Sequence, residues 1–220
     1  KSELKDPSWG TPLFPKPQLQ VLEVPYTEQE RQAHGWLQEY TTSRQQHVEG
    51  SSALQRTATE FVLKLLKKRM FSSPAAFAGT LAQHEHTLGE TGKPARDLPK
   101  PTLSVLKAQV EPLDDDYVDD EEYEDAAEQA LRLSARLMET LTPRERELLE
   151  NLRRWGGKAS GAPDSKAQVL IDWLHSHIRP GGAWSDERVI IFTEYRDTQK
   201  WLQKLLAAEK LTEGGRLLML

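Results

Sequence analysis

Arg188-Val189-Ile190-Ile191-Phe192-Thr193-Glu194-Tyr195-Arg196-Asp197-Thr198 marks a change in the character of this chain. Upstream, apolar residues recur at helical spacing. Here they run continuously from Val189 to Phe192 and are mostly β-branched. Such a run between polar flanks predicts a strand buried on both faces, the kind that parallel sheets use. A helix should follow from Asp197 to Glu209, with Trp201, Leu202, Leu205 and Leu206 on one face. Gly214-Gly215 then leads into a second apolar run, Arg216-Leu217-Leu218-Met219-Leu220. Strand, helix and strand make one βαβ unit. One such unit cannot cover both faces of its sheet, so the expectation is an α/β domain cut within its sheet.

The rest of the chain reads as helices. Thr27-Glu28-Gln29-Glu30 is a capping box, in which the threonine hydroxyl and the glutamate side chain each satisfy the other's backbone amide. It opens a helix to about Val48, and Gly50-Ser51-Ser52 breaks it. The next helix runs from about Ser52 to Met70. Phe61, Val62, Leu63, Leu65 and Leu66 form its apolar stripe, and Lys64, Lys67, Lys68 and Arg69 crowd its last turns. Ser73-Pro74 starts a third helix, with the serine as cap and the proline at the first position. Residues 89–112 hold Gly92, Pro94, Pro99, Pro101 and Pro112 and read as linker. A fourth helix is expected from Glu121 to Leu141. Thr142-Pro143-Arg144-Glu145 is a second capping box, opening a helix that ends near Gly156-Gly157. Asp164 caps a helix from Ser165 to Ile178, and Pro180-Gly181-Gly182 stops it. Residues 1–20 carry Pro7, Pro12, Pro15 and Pro17, which favour an extended segment, and Leu19 to Val24 suggests a short strand. The expected fold class is mostly α with a C-terminal α/β portion.

Composition narrows the function classes. The 220 residues include no cysteine, which excludes a disulfide scaffold and thiolate zinc sites. No apolar run approaches the ~18 residues of a membrane span, and the start, Lys1-Ser2-Glu3-Leu4-Lys5-Asp6, is not a signal peptide. The expectation is a cytoplasmic protein away from any membrane. Without an initiator methionine, it is also expected to be a piece of a longer chain. The net charge is −5, yet nine of the twelve residues from Asp114 to Asp125 are acidic, so the remainder carries −5 + 9 = +4. That remainder permits nucleic-acid contact. The acidic run is read as a solvated loop or helix start, with a docking surface for a basic partner as the other reading.

Catalytic patterns are missing from the sequence. Gly92-Lys93 and Gly157-Lys158 lack the following Ser or Thr of a phosphate-cradling loop, and neither GxSxG nor HExxH occurs. His84 with His86 and His175 with His177 are i,i+2 pairs, which point to different sides of a helix and make poor metal chelates. All six histidines are read as surface residues.

The last third, with Asp164-Ser165-Lys166 opening one helix and Phe192-Thr193-Glu194-Tyr195-Arg196-Asp197-Thr198 ending the first apolar run, resembles the start of the second RecA-like lobe of superfamily-two helicases, in particular the Swi/Snf-like branch. Leu13-Phe14-Pro15-Lys16 and Val24-Pro25-Tyr26-Thr27-Glu28-Gln29-Glu30 are similar to that branch's exit from the first lobe. Leu65-Leu66-Lys67-Lys68-Arg69-Met70-Phe71-Ser72-Ser73-Pro74-Ala75-Ala76 is similar to its interlobe helical region. Among its members, the helicase of the DISARM phage-defence system and its bacterial relatives are nearest in these patches. The resemblance implies an extended exit segment over 1–26, a helical interlobe region over 27–160 with an acidic linker about 89–125, and the start of the second lobe over 164–220. It implies ATP and Mg²⁺ in the complete protein and none bound by this chain alone, because the phosphate loop, the acidic Mg²⁺ motif and the late arginine motif are not in the sequence. It also implies DNA, the remaining motor lobes and other defence-system proteins as partners.

Candidate nucleic-acid contacts follow. Thr193 and the turn after it sit at a helix N-terminus, which favours phosphate. Tyr195 offers a stacking face and Arg196 a bidentate phosphate contact. The plainer reading is that Asp197 caps the helix, Arg196 is solvated and Tyr195 packs. Lys64, Lys67, Lys68 and Arg69 form one basic cluster, and Arg153 and Arg154 with Lys158 a second. Each is either a solvated helix end or a grip on a DNA backbone, sequence-independent and salt-sensitive. The expected function is therefore a fragment of an ATP-dependent DNA helicase or translocase. A non-enzymatic helical adaptor is the alternative.

Overall fold

The computed structural model describes residues 18–89, 127–132, 134, 137–138 and 140–219. The exit segment before residue 18, the linker and the acidic run lie outside these residues. The helices are α1 (Glu28–His47), α2 (Ala53–Ser72), α3 (Pro74–Gly89), α4 (Pro143–Ala159), α5 (Ser165–His177) and α6 (Arg196–Ala208). Residues 127–132 are helical as well.

Local chemistry sets the helix starts. At α1 the Glu30 amide donates to Thr27 Oγ1 at 3.3 Å, and the Thr27 amide donates to Glu30 Oε2 at 2.6 Å. Thr142 and Glu145 do the same at α4, at 3.2 and 2.8 Å. Ser52 and Gln55 form a further capping box at α2 that the sequence reading did not single out. Ser73 Oγ accepts from the Ala76 amide at 3.1 Å, and Asp164 Oδ1 from the Ala167 amide at 2.8 Å. Each pairing satisfies an amide that the first helical turn leaves without a partner.

The helices α1 to α4 share one core. Ala33, Leu37 and Tyr40 of α1 meet Phe61, Val62, Leu65 and Leu66 of α2, Phe77 and Leu81 of α3, and Leu148, Leu149 and Leu152 of α4. Ala127, Ala130 and Leu131 complete it. A Cβ on Gly156 would lie 3.4 Å from the Ala78 Cβ, an ordinary van der Waals contact, so α3 and α4 pack side by side here. A second, smaller cluster joins Ile171 and Leu174 of α5 to Leu206 and Leu211, with Trp173, Ile178, Trp184 and Ile191 packed against it.

The expected α/β portion is not there. Among the described residues no strand is present, so the βαβ start of a RecA-like lobe is overturned, and so is the short strand at 19–24. Residues 188–194 run without ladder partners, and of their apolar side chains only Ile191 is drawn into the second cluster. Ile190 is 73% exposed, Phe192 89% and Leu218 82%. The physical reason is that β-branched composition favours a pleated surface but does not supply a neighbour. A strand is held by ladder bonds to a second strand, and among the described residues the two apolar runs flanking α6 form no ladder with each other. The helical part of the unit formed because α6 buries Trp201 and Leu206 on its own account.

Direct bonds fasten α6 to the helices of the larger core. The Trp201 indole donates to the Ser160 carbonyl at 2.8 Å. Ser72 and Ser73 hydroxyls lie 2.7 and 2.8 Å from Thr198 Oγ1, which is buried. Thr198→Val keeps the shape and removes the shared hydroxyl. We expect a loss of about 1–3 kcal/mol in unfolding free energy, the cost of stranding a buried polar group, measured by urea denaturation.

Candidate nucleic-acid interface

Lys64, Lys67 and Lys68 stand three and four positions apart on α2 and therefore share a face. With Phe71, Ser72 and Glu194 they line an open cavity of about 320 Å³. The Lys68 ammonium lies 3.5 Å from Glu194 Oε1, and the Tyr195 hydroxyl donates to the same oxygen at 2.9 Å. Lysines at this end of α2 also complement the negative end of the helix dipole.

One further position round the helix, Arg69 turns inward. It is 4% exposed, and its guanidinium carbon sits 3.9 Å from the centre of the Tyr195 ring. Tyr195 is itself only 2% exposed. Both residues are committed to this stacked contact, which holds the start of α6 on α2. Thr193 is half-buried and Arg196 exposed. The N-cap position of α6 is Tyr195 rather than Asp197, which lies in the first turn, where a Cβ on Gly79 would meet its carboxylate at 3.3 Å. The structure thus brings the α2 cluster and the 193–198 segment together, although 125 residues separate Ser73 from Thr198. Arg153 and Arg154 line no wall of this cavity. They are exposed on α4, with Arg153 Nε 3.9 Å from Glu85 and Arg154 Nη2 3.0 Å from Glu150.

The Asp164-Ser165-Lys166 segment supports the cavity from behind. Lys166 Nζ donates to the Ser72 carbonyl at 2.7 Å and also to the Phe71 carbonyl, closing the C-terminal end of α2. Burial pushes the Lys166 ammonium below the ordinary lysine range, against the pull of Asp164 and Glu30. Glu30 accepts from the Ser165 amide at 2.8 Å while it still serves its own capping box. Burial would raise its carboxyl, but the hydrogen bonds from Ser165 and Thr27 prevail and hold it low. One carboxylate therefore ties the start of α1 to the start of α5.

Sequence reasoning missed Phe71, Ser72 and Glu194 as walls of the cavity. The only signal was their closeness to the basic cluster and to the 193–198 segment. It also read His84 as a surface residue, whereas His84 is fully buried and its Nε2 lies 2.9 Å from the Tyr40 hydroxyl. The i,i+2 spacing from His86 was the wrong measure: the helical face shared with Phe77 and Leu81 was the signal that would have found it.

Neither a family model, nor a curated protein, nor a solved structure matches this chain. Among the described residues no group of three or more histidines and carboxylates is placed to hold a metal ion. No helix among them is long and apolar enough to cross a membrane.

Proposed function

We propose that this chain is a helical DNA-backbone grip belonging to an ATP-dependent DNA translocase of the Swi/Snf-like kind, with ATP and Mg²⁺ handled by other parts of the complete protein and a role in defence against phage. The observation that carries the DNA contact is the set of three lysines around the open cavity on α2. Ammonium groups on flexible stems suit phosphates of varying position, and they carry no base information. Exposed Arg196 extends the positive surface at the start of α6. Glu194 competes for Lys68, so any movement of the start of α6 against α2 changes the charge that a phosphate meets. That is a route by which motion in a motor would loosen or tighten the grip.

The test is binding of a short duplex to the 220-residue chain across a salt series. Affinity should fall steeply with salt, and replacing Lys64, Lys67 and Lys68 together by Ala should make the log–log slope shallower by about 2.7, at ~0.9 per phosphate contact. An unchanged slope removes these lysines from the interface. If the chain ignores DNA altogether, the adaptor reading gains, and the exposed Ile190, Phe192 and Leu218 become its candidate contact surface.

A further inference from the structure

The cavity on α2 has one wall that a bare phosphate backbone does not explain. Phe71 is 46% exposed and borders the lysines. It is also the end of a row of rings. Tyr26 and His34 lie edge to face with centres 5.5 Å apart, and His34 and Phe71 follow at 5.0 Å. Burial holds the His34 imidazole below its ordinary value, so at neutral pH it is an uncharged ring in that row. The row ends at the cavity with the Phe71 ring partly open to solvent.

The acceptor side is equally telling. Glu194 places a carboxylate among three lysines. A phosphate placed against Glu194 itself would be repelled, although the three lysines leave the cavity positive as a whole. Base amino and imino groups, which are donors and of which every base carries at least one, would be accepted. Cationic groups for phosphate, an aromatic face for a base and a carboxylate for donors are the three parts of a nucleotide site. A volume of about 320 Å³ is at the small end for a ligand pocket and suits one such unit.

We propose that this cavity takes a single unstacked nucleotide of single-stranded DNA, with its base against Phe71, its flanking phosphates on Lys64, Lys67 and Lys68, and a donor group on Glu194. The inference rests on the lysine grip proposed above and adds a preference for strand over duplex, because in a duplex the face of each base is already covered by its neighbours. Base stacking on an aromatic ring tolerates every base, so the preference is for strandedness rather than sequence.

The experiment compares three probes on the 220-residue chain at one salt concentration: a dT oligomer, an abasic oligomer of the same length with the same phosphates, and a duplex. The intact chain should bind the dT oligomer more tightly than the other two. Phe71→Ala should weaken the dT oligomer about tenfold, in the range for losing one stacked base, and leave the abasic oligomer unchanged. Phe71→Trp, which keeps an aromatic face and guards against a variant that merely misfolds, should restore the dT affinity. Equal loss on dT and abasic probes, or no difference between those probes in the intact chain, overturns the nucleotide site while leaving the lysine grip standing. Failure of all three probes to bind overturns both.

Discussion

Glu145→Ala should remove about 3–5 kcal/mol of unfolding free energy, the cost of breaking a buried ion pair by deleting one partner. The Glu145 and Arg44 side chains are both fully buried, with Arg44 Nη1 3.4 Å from Glu145 Oε2. The same carboxylate accepts from the Ser43 hydroxyl at 2.9 Å and the Thr142 amide at 2.8 Å, and His47 Nδ1 lies 3.2 Å away. Burial would raise its carboxyl, but the Thr142 amide, Ser43 and the charges of Arg44 and His47 outweigh it and hold it below the usual range. Alanine leaves the Arg44 guanidinium in the core without this carboxylate and strips α4 of its capping box. Urea denaturation should show a lower midpoint with an unchanged m-value. Replacing both partners, Arg44→Met with Glu145→Leu, should cost far less than Glu145→Ala alone, because no charge is then stranded. A loss below about 1 kcal/mol for Glu145→Ala, under the range for a buried pair, would mean that the pair does not organise the junction of α1 and α4.

That pair shows which parts of the structure could be read from the sequence. Glu145 was legible as the third residue of a capping box, because a capping box lies within four consecutive residues and needs no tertiary information. Its second role depends on Arg44, 101 residues away, which no local pattern names. Glu30 repeats the lesson with Ser165, 135 residues distant. The α2 lysines were legible as a shared face from their spacing. That Arg69 leaves the group for Tyr195, and that Phe71 and Glu194 join it, follows from where α6 docks. The apolar run at 189–192 failed for the complementary reason. Strand formation is decided by a partner, and the residues themselves carry only the preference. Helices α1 to α6 complete their backbone bonds internally, so their positions emerged from pattern and caps alone.

Lowering the pH from 6.5 to 5 should destabilise the protein, and His84 should supply a slope of up to about 1.4 kcal/mol per pH unit, the value of one proton. Burial is the main cause: it pushes the His84 imidazole down to about 3, and the nearby Arg44 charge pushes the same way. Burial also keeps the Tyr40 phenol above its ordinary range, so Tyr40 stays protonated beside it. Among the described residues His84 Nδ1 has no hydrogen-bond partner, so a proton added there would bring a charge with nothing to accept it. The unfolded chain, with an ordinary histidine near ~6.5, binds that proton and the folded chain does not. Stability from this residue is therefore complete above the unfolded value. It declines as pH falls below it and levels off near the folded value of about 3. His34 is lowered in the same direction and adds to the slope. Glu30 and Glu145 are held below their ordinary value of 4.5, so their contributions are lost at lower pH, whereas burial raises Glu85 and Asp164, whose protonation in the folded state works against the histidine slope. His84→Gln keeps a polar group within reach of the Tyr40 hydroxyl and cannot be protonated. Its unfolding free energy, taken from urea curves at several pH values, should fall less steeply than that of the parent by about the one-proton slope. Parallel curves would show that His84 takes up a proton in the folded state as readily as in the unfolded one, and the acid sensitivity would then belong to His34 alone among the histidines of the core's edge.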